Sequence, residues 1–189
     1  MATVIARTME KPRLSVKAQT LATISAIVGA VAVPQIFHLL GAVSGLGTAL
    51  GETFLPMHLP ILLVGLLAGP YAGAIAGLLG PLASFALSGM PGIAMLPFMM
   101  IELCIYGLAA GLLRNVKMPT IGKVVAAQVA GRVVRAAAIL LAVYAFGSEN
   151  IGVAVIWPSI GAGIFGLVLQ WVLLPLIVYR VENLKKHEG

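Results

Sequence analysis

"LPMHLPILLVGLLAGPYAGAIAGLLGPLASFALSGMP", residues 55–91, contains two apolar segments that are joined only through AGPYAG at 68–73. A membrane-spanning helix needs about 20 mostly apolar residues, or about 17 at the short end. The glycine and proline between the two segments favour a turn rather than one continuous helix. We therefore predict two short spanning helices, at 55–69 and 71–89, that form a tight hairpin.

The rest of the chain repeats this apolar pattern. Of its 189 residues, 60% are hydrophobic and only 10% are charged, whereas about a quarter of a soluble domain is charged. We interpret residues 1–189 as a single integral membrane domain with an all-α fold. The other four spanning helices are predicted at about 15–40, 94–113, 121–146 and 151–179, which makes a bundle of six. The first apolar run continues past a possible cleavage site near Ala30, so we expect this segment to be retained as a helix.

Basic residues mark one side of this bundle. They precede the first apolar run, fill the break after the fourth and follow the last; they include Arg7, Lys11, Arg13, Lys17, Arg114, Lys117, Lys123, Arg180, Lys185 and Lys186. The connections around 41–54, 87–96 and 147–150 contain no lysine or arginine. Cytoplasmic loops carry the excess of basic residues, and six helices place both termini on one side. We therefore expect both termini to be cytoplasmic.

The sequence argues against several other functions. The net charge of +6 comes from residues at helix ends, which indicates membrane topology rather than nucleic-acid binding. Cys104 is the only cysteine, so neither an intrachain disulfide nor a cysteine zinc cluster can form. There is no aspartate and no HExxH, GxSxG or Walker A motif. We expect no enzyme activity, no catalytic residue, no cofactor and no bound metal, and the chain cannot power transport by itself.

Polar residues on the predicted fifth helix are the strongest indication of a binding site. Gln128, Arg132 and Arg135 follow at i, i+4 and i+7, so they share one face. An arginine at the bilayer centre costs about 2.5–3.5 kcal/mol on insertion scales. Glu102 lies at comparable depth, about 18 Å above Arg114 at 1.5 Å per residue. We expect Glu102 to pair with one arginine, which leaves a surplus positive charge for an anionic ligand. The alternative is an ion pair that only fixes helix register.

Further residues on the expected outer side could complete a pocket. His58 lies between two prolines at the mouth of the second helix, while Asn150 and Trp157 belong to the outer part of the sixth. Each of these residues could instead be an interfacial anchor or make a helix–helix hydrogen bond. The segment SGMPGIAMLP, residues 88–97, suits a loop that packs over an apolar ligand, because methionines adapt to irregular shapes. A plain turn is the competing interpretation.

Small residues recur at helical spacing in three places. Glycines do so at Gly69, Gly73 and Gly77 and again at Gly107 and Gly111; alanines do so at Ala18, Ala22, Ala26 and Ala30. Such stripes let helix backbones approach closely in a membrane. We assign the glycines to packing inside the bundle. The alanine stripe begins at the expected cytoplasmic edge, and we therefore interpret it as a surface for a partner subunit.

Size, helix number and topology together resemble the substrate-binding S components of energy-coupling factor (ECF) vitamin transporters. Residues 55–91 are similar to the second and third helices of that family, with a GPxxGxxxG pattern that begins at Gly69. AQTLATISAIVGA, residues 18–30, resembles the AxxxA motif of its first helix, matched by Ala18, Ala22 and Ala26. The resemblance covers most of the chain.

This resemblance implies a high-affinity binder of a vitamin or related molecule in a bacterial or archaeal cell membrane. It implies a transmembrane coupling subunit, contacted by the first-helix alanines, and two cytoplasmic ATPases, dedicated or shared. The pocket would be formed by helices four to six under the outer loops, where Arg132, Arg135 and Glu102 are expected. An acidic vitamin such as pantothenate suits the arginines, although phosphorylated, pterin and corrin ligands also remain open. A stand-alone transporter or channel, or a structural subunit of a membrane complex, are the alternatives.

Overall fold

Six helical segments long and apolar enough to span a membrane make up the computed structural model of the protein. The structure describes residues 14–47, 49–147, 152–156, 161 and 163–187, and this part of the chain contains no β-strand. The predicted all-α bundle of six spanning helices is confirmed. The helices are α1 (Val16–Ser44), α2 (Ala49–Phe54), α3 (His58–Ala68), α4 (Pro70–Ser88), α5 (Leu96–Leu112), α6 (Thr120–Tyr144) and α7 (Ile164–His187).

The hairpin between α3 and α4 turns at one glycine. Gly69 has φ 110° and ψ 178°, a conformation that side chains with a Cβ rarely adopt. Pro70 follows as the first residue of α4, where its missing N–H has no intrahelical partner to lose. Gly69 is therefore the single residue between the end of α3 at Ala68 and the start of α4 at Pro70, and the turn lies where the sequence predicts it.

Helices α4 and α5 approach one another closely at glycines. A Cβ atom on Gly73 would lie 2.3 Å from the carbonyl oxygen of Gly107, and one on Gly77 would lie 2.1 Å from that of Leu103. Only glycine permits backbones to approach this closely. These glycines therefore pack inside the bundle.

The second span is broken where the sequence predicts one helix. The predicted helix began at residue 55, but the span already starts with α2 at Ala49 and is interrupted at Leu55–Met57 before α3. Leu55 has φ 47°, and Pro56 disfavours helical geometry in the residue before it. Part of the segment that was expected to be an outer loop is therefore helical.

The last span also differs from its predicted bounds of 151–179. Helix α7 begins at Ile164 and continues to His187, whereas Val153–Val155 form a 3-10 turn. Gly163 lies in a turn directly before α7.

Alternation of the helices gives the bundle two ends. The first, which we call the basic end, contains the start of α1, the α3–α4 hairpin and the α5–α6 connection. Here Lys123 Nζ donates a 2.8 Å hydrogen bond to the carbonyl oxygen of Arg114, which lies in the 3-10 turn Leu113–Asn115 after α5. The second, which we call the cavity end, contains the α1–α2, α4–α5 and α6–α7 connections.

Candidate ligand-binding site

A cavity of about 440 Å³ opens toward the cavity end of the bundle. Its volume falls within the range of roughly 300–1,000 Å³ that is usual for small-molecule sites. Helices α1 to α6 all border it, together with the Leu55–Met57 break and the α4–α5 connection. The ionisable and polar residues in its lining are His38, Glu52, His58, Ser84, Glu102, Arg132 and Arg135.

Glu102 and Arg135 form an ion pair in the wall of this cavity. The distance from Arg135 Nη1 to Glu102 Oε2 is 2.8 Å, and the Glu102 side chain is only 1% exposed. The other carboxylate oxygen, Oε1, accepts a 3.0 Å hydrogen bond from the hydroxyl of Tyr106. Both oxygens of the buried carboxylate are therefore engaged, and the predicted pairing of Glu102 with one arginine is confirmed.

Arg132 brings a second guanidinium group to the same cavity. It borders the cavity together with His58 and the Glu102–Arg135 pair, so it belongs to the same polar cluster. Its Nη2 atom also reaches toward the start of α7, since a Cβ on Gly163 would lie 3.3 Å from it. A guanidinium offers five N–H donors in a planar fork, which matches a carboxylate or a phosphate. The arrangement can hold an anionic group at this wall.

His58 and Tyr106 pack beside the two arginines. The ring centroids of His58 and Tyr106 are 5.3 Å apart with an interplanar angle of 59°. Gly131 lets the Tyr106 ring lie directly against α6, because a Cβ there would overlap the ring. His58 is the first residue of α3, and its side chain lies in the cavity lining, as the sequence predicts.

Methionine and proline side chains provide most of the remaining wall. From the α4–α5 connection come Met90, Pro91 and Gly92, and Met95 and Met99 follow at the start of α5. Thioether side chains are flexible and polarisable, so they adapt to ligands of different shape. The segment 88–97 therefore borders the cavity, as expected for a loop that packs against a ligand.

Gln128, which was also predicted to bind the ligand, lies outside the cavity lining. Gln128 is buried but does not border the cavity; its Nε2 donates to Gln170 Oε1 at 2.9 Å, and its Oε1 accepts from Trp171 Nε1 at 2.7 Å. It joins α6 to α7 one turn closer to the basic end than Arg132. Asn150 and Trp157 lie outside the residues that the structure describes.

The alanine stripe of α1 is divided between the surface and the core. Ala26 and Ala30 are 6% and 0% exposed and belong to the apolar core. Ala22 is half-buried against that core, and Ala18 is also half-buried. In the isolated chain, the stripe is therefore accessible only in its first turns.

Three polar residues of the lining were not predicted from the sequence to be there. His38 comes from α1, Glu52 from α2 and Ser84 from α4. For two of them the sequence offered a signal. His38 and Glu52 are ionisable, and they lie beside and within the 41–54 connection, which contains no lysine or arginine. The packing of α1, α2 and α4 around one cavity brings these residues together, and hydropathy does not indicate that packing.

Comparison with protein families gives one result. The family described as "ECF transporter, substrate-specific component" matches residues 16–178, a range that includes most of all six spans. No curated protein and no solved structure matches the chain significantly.

Proposed function

The chain belongs to the family of ECF transporter substrate-specific components, and we propose that its cavity binds an anionic, vitamin-like molecule for uptake into the cell. As a member of this family, it is a multi-pass membrane subunit of a transporter rather than an enzyme. The observation that carries the proposal is the position of Arg132. Its guanidinium borders a small-molecule cavity beside an ion pair that already neutralises Glu102.

Two guanidinium groups in the cavity lining support an anionic ligand. Arg135 is paired with Glu102 at 2.8 Å, and Arg132 brings a second guanidinium group to the same lining. Ionisable residues within membrane spans are functional by default, because the bilayer penalises them. A ligand carboxylate or phosphate at Arg132 would gain charge-assisted hydrogen bonds in a site of low dielectric constant.

The other polar residues of the lining suggest a second polar group on the ligand. Glu52 and His38, from α2 and α1, border the same cavity as the arginines, together with methionines and prolines. A ligand that carries an acidic group and also hydroxyl or amine donors would suit this set of residues. Pantothenate has this layout, and we propose it as the first compound to test.

Orientation and partners complete the proposal. The basic end carries Arg114, Lys117 and Lys123, so we place it in the cytoplasm and the cavity end outside a bacterial or archaeal cell. A transmembrane coupling subunit and two ATPases would supply the energy. The first turns of α1, with Ala18 and Ala22, are the proposed contact with the coupling subunit.

The polar lining of the cavity also bears on the alternatives. A structural subunit that binds no ligand would be expected to fill this space with apolar side chains. Ionisable residues from α1, α2, α3, α5 and α6 border an open volume instead. Co-purification with ATPase subunits would separate an ECF component from a stand-alone transporter.

Mass spectrometry of small molecules released from the purified, denatured protein tests the proposed function. We expect one anionic compound in near-stoichiometric amount that is absent from a mock purification. Recovery of lipid and detergent alone, from a protein that is folded and was purified without exhaustive washing, would contradict the proposal.

A further inference from the structure

The wall of the cavity at Leu55–Met57 has an unusual backbone. Leu55 has φ 47°, and it is the one residue other than glycine with positive φ in the part of the chain that the structure describes. Leu55, Pro56 and Met57 all border the cavity. A leucine in this region of backbone space is strained, and such residues persist only where their surroundings over-determine them.

Helix α7 provides these surroundings. Gln170, which is 1% exposed, donates from Nε2 to the carbonyl oxygen of Leu55 at 3.2 Å. A Cβ on Gly163 would lie 2.6 Å from Leu55 Cδ1, and one on Gly166 would lie 2.5 Å from the carbonyl oxygen of Phe54. One face of α7 is therefore fitted to the break in the second span.

Two further side chains fix the direction in which Gln170 points. Indole N–H is only a donor and a carbonyl oxygen is only an acceptor. Trp171 Nε1 donates to Gln128 Oε1 at 2.7 Å, so Gln128 turns its Nε2 toward Gln170 Oε1, 2.9 Å away. Gln170 must then present its own Nε2 to Leu55. Because Trp171 can only donate and the Leu55 carbonyl oxygen can only accept, the orientation of both glutamine amides between them is fixed.

We propose that Gln170 and Gln128 are positioning residues for ligand binding, which hold the Leu55–Met57 wall in place without touching the ligand. This rests on the proposed function, because it takes the cavity to be the ligand site. Gln128 was predicted from sequence to contact the ligand directly, whereas here it acts through Gln170. Loss of either amide loosens the wall and admits solvent beside Met57.

A thiol placed in the wall measures this loosening. In a Cys104→Ala background, Met57→Cys introduces a single thiol that reacts with a small hydrophilic methanethiosulfonate reagent in detergent. We expect Gln170→Met to accelerate labelling about three- to tenfold, corresponding to about 0.6–1.4 kcal/mol, the size of one net hydrogen bond. Gln128→Met, which leaves the Leu55 bond in place, should accelerate it less.

Two controls separate positioning from a general loss of structure. Met99→Cys borders the same cavity from α5, so its labelling rate should not change with Gln170→Met. Thr23→Val removes another buried side-chain bond, from Thr23 Oγ1 to the carbonyl oxygen of Gln19 at 2.8 Å, and should leave labelling at position 57 unchanged. If Gln170→Met does not fold, Gln128→Met in the same backgrounds supplies the comparison.

Acceleration at position 57 without acceleration at position 99 supports the proposal. Equal rates at position 57 in the parent and the glutamine variants would overturn it, and so would equal acceleration at both positions. These rates are measured without ligand, so they do not depend on the proposed function. If pantothenate does not slow labelling of Met57→Cys in the Cys104→Ala background, pantothenate is not the ligand. The difference in labelling rate between this protein and its glutamine variants would still stand.

Discussion

Arg135 on α6 and Glu102 on α5 are joined by an ion pair of 2.8 Å, 33 positions apart in the chain. The pair ties together two membrane-spanning helices beside the cavity, and the hydroxyl of Tyr106 holds the second oxygen of the carboxylate. Removing one partner of a buried pair leaves an uncompensated charge, which costs more than the pair itself contributes. The pair therefore has a structural role that can be separated from ligand binding.

We expect Glu102→Gln and Arg135→Met to lower the thermal stability of the protein in detergent. Breaking a buried ion pair destabilises by about 3–5 kcal/mol. The double variant Glu102→Gln/Arg135→Met should regain part of this loss, because no unpaired charge remains. Melting temperatures of the three variants and the parent give the comparison; strictly additive losses in the double variant would argue against a direct pair.

The glycine contact between α4 and α5 makes a second prediction. Gly73→Val should prevent the bundle from forming, since its Cβ would lie within 2.3 Å of the Gly107 carbonyl oxygen. Gly122→Ala in α6 is the matched control, because its Cβ meets only the flexible side chain of Met118. Alanine also favours helix over glycine. Equal yields of folded protein, by size-exclusion chromatography, would show that the α4–α5 contact is not needed.

Features set by neighbours in the chain could be predicted from the sequence. Gly69 and Pro70 determine the α3–α4 hairpin locally, through a positive φ and a missing N–H. Counting residues along α5 and α6 placed Glu102 at the depth of the arginines, because the rise of a helix is constant. These predictions needed no knowledge of tertiary contacts.

Features set by distant contacts could not be predicted. The break at Leu55 is held by Gln170, 115 positions away, and no local preference of leucine indicates a positive φ. Gln128 does share a helix face with Arg132, as its spacing predicts. It lies one turn, about 6 Å, nearer the basic end, where side chains of α7 occupy the space instead of the cavity. Periodicity identifies a face but not where a cavity along it ends.

Orientation in the membrane gives a third prediction. In a Cys104→Ala background, Leu46→Cys should react with a membrane-impermeant thiol reagent added to intact cells, while Met118→Cys should react only after permeabilisation. Both positions are exposed, and they lie at opposite ends of the bundle. Labelling of position 118 from outside, with position 46 protected, would reverse the assignment of the cavity end.

The alanine stripe of α1 gives a fourth prediction. Ala26→Leu should destabilise the isolated subunit by about 1–3 kcal/mol, because Ala26 already packs in the core. Ala18→Leu lies nearer the surface and should leave the melting temperature unchanged while weakening co-purification with the coupling subunit. Normal complex formation by Ala18→Leu would remove the first turn of α1 from the proposed contact.

Arg132 is the residue on which the proposed function depends. Exchange for methionine removes a charge-assisted hydrogen bond of about 1.5–3 kcal/mol from an anionic ligand, which is roughly ten- to a hundredfold in affinity. Small molecules released from the denatured parent protein, from Arg132→Met and from the Thr23→Val control should be quantified side by side by mass spectrometry. We expect an anionic compound in the parent and in the control that is strongly depleted in Arg132→Met. Equal recovery of that compound from all three proteins would contradict a role for Arg132 in binding it.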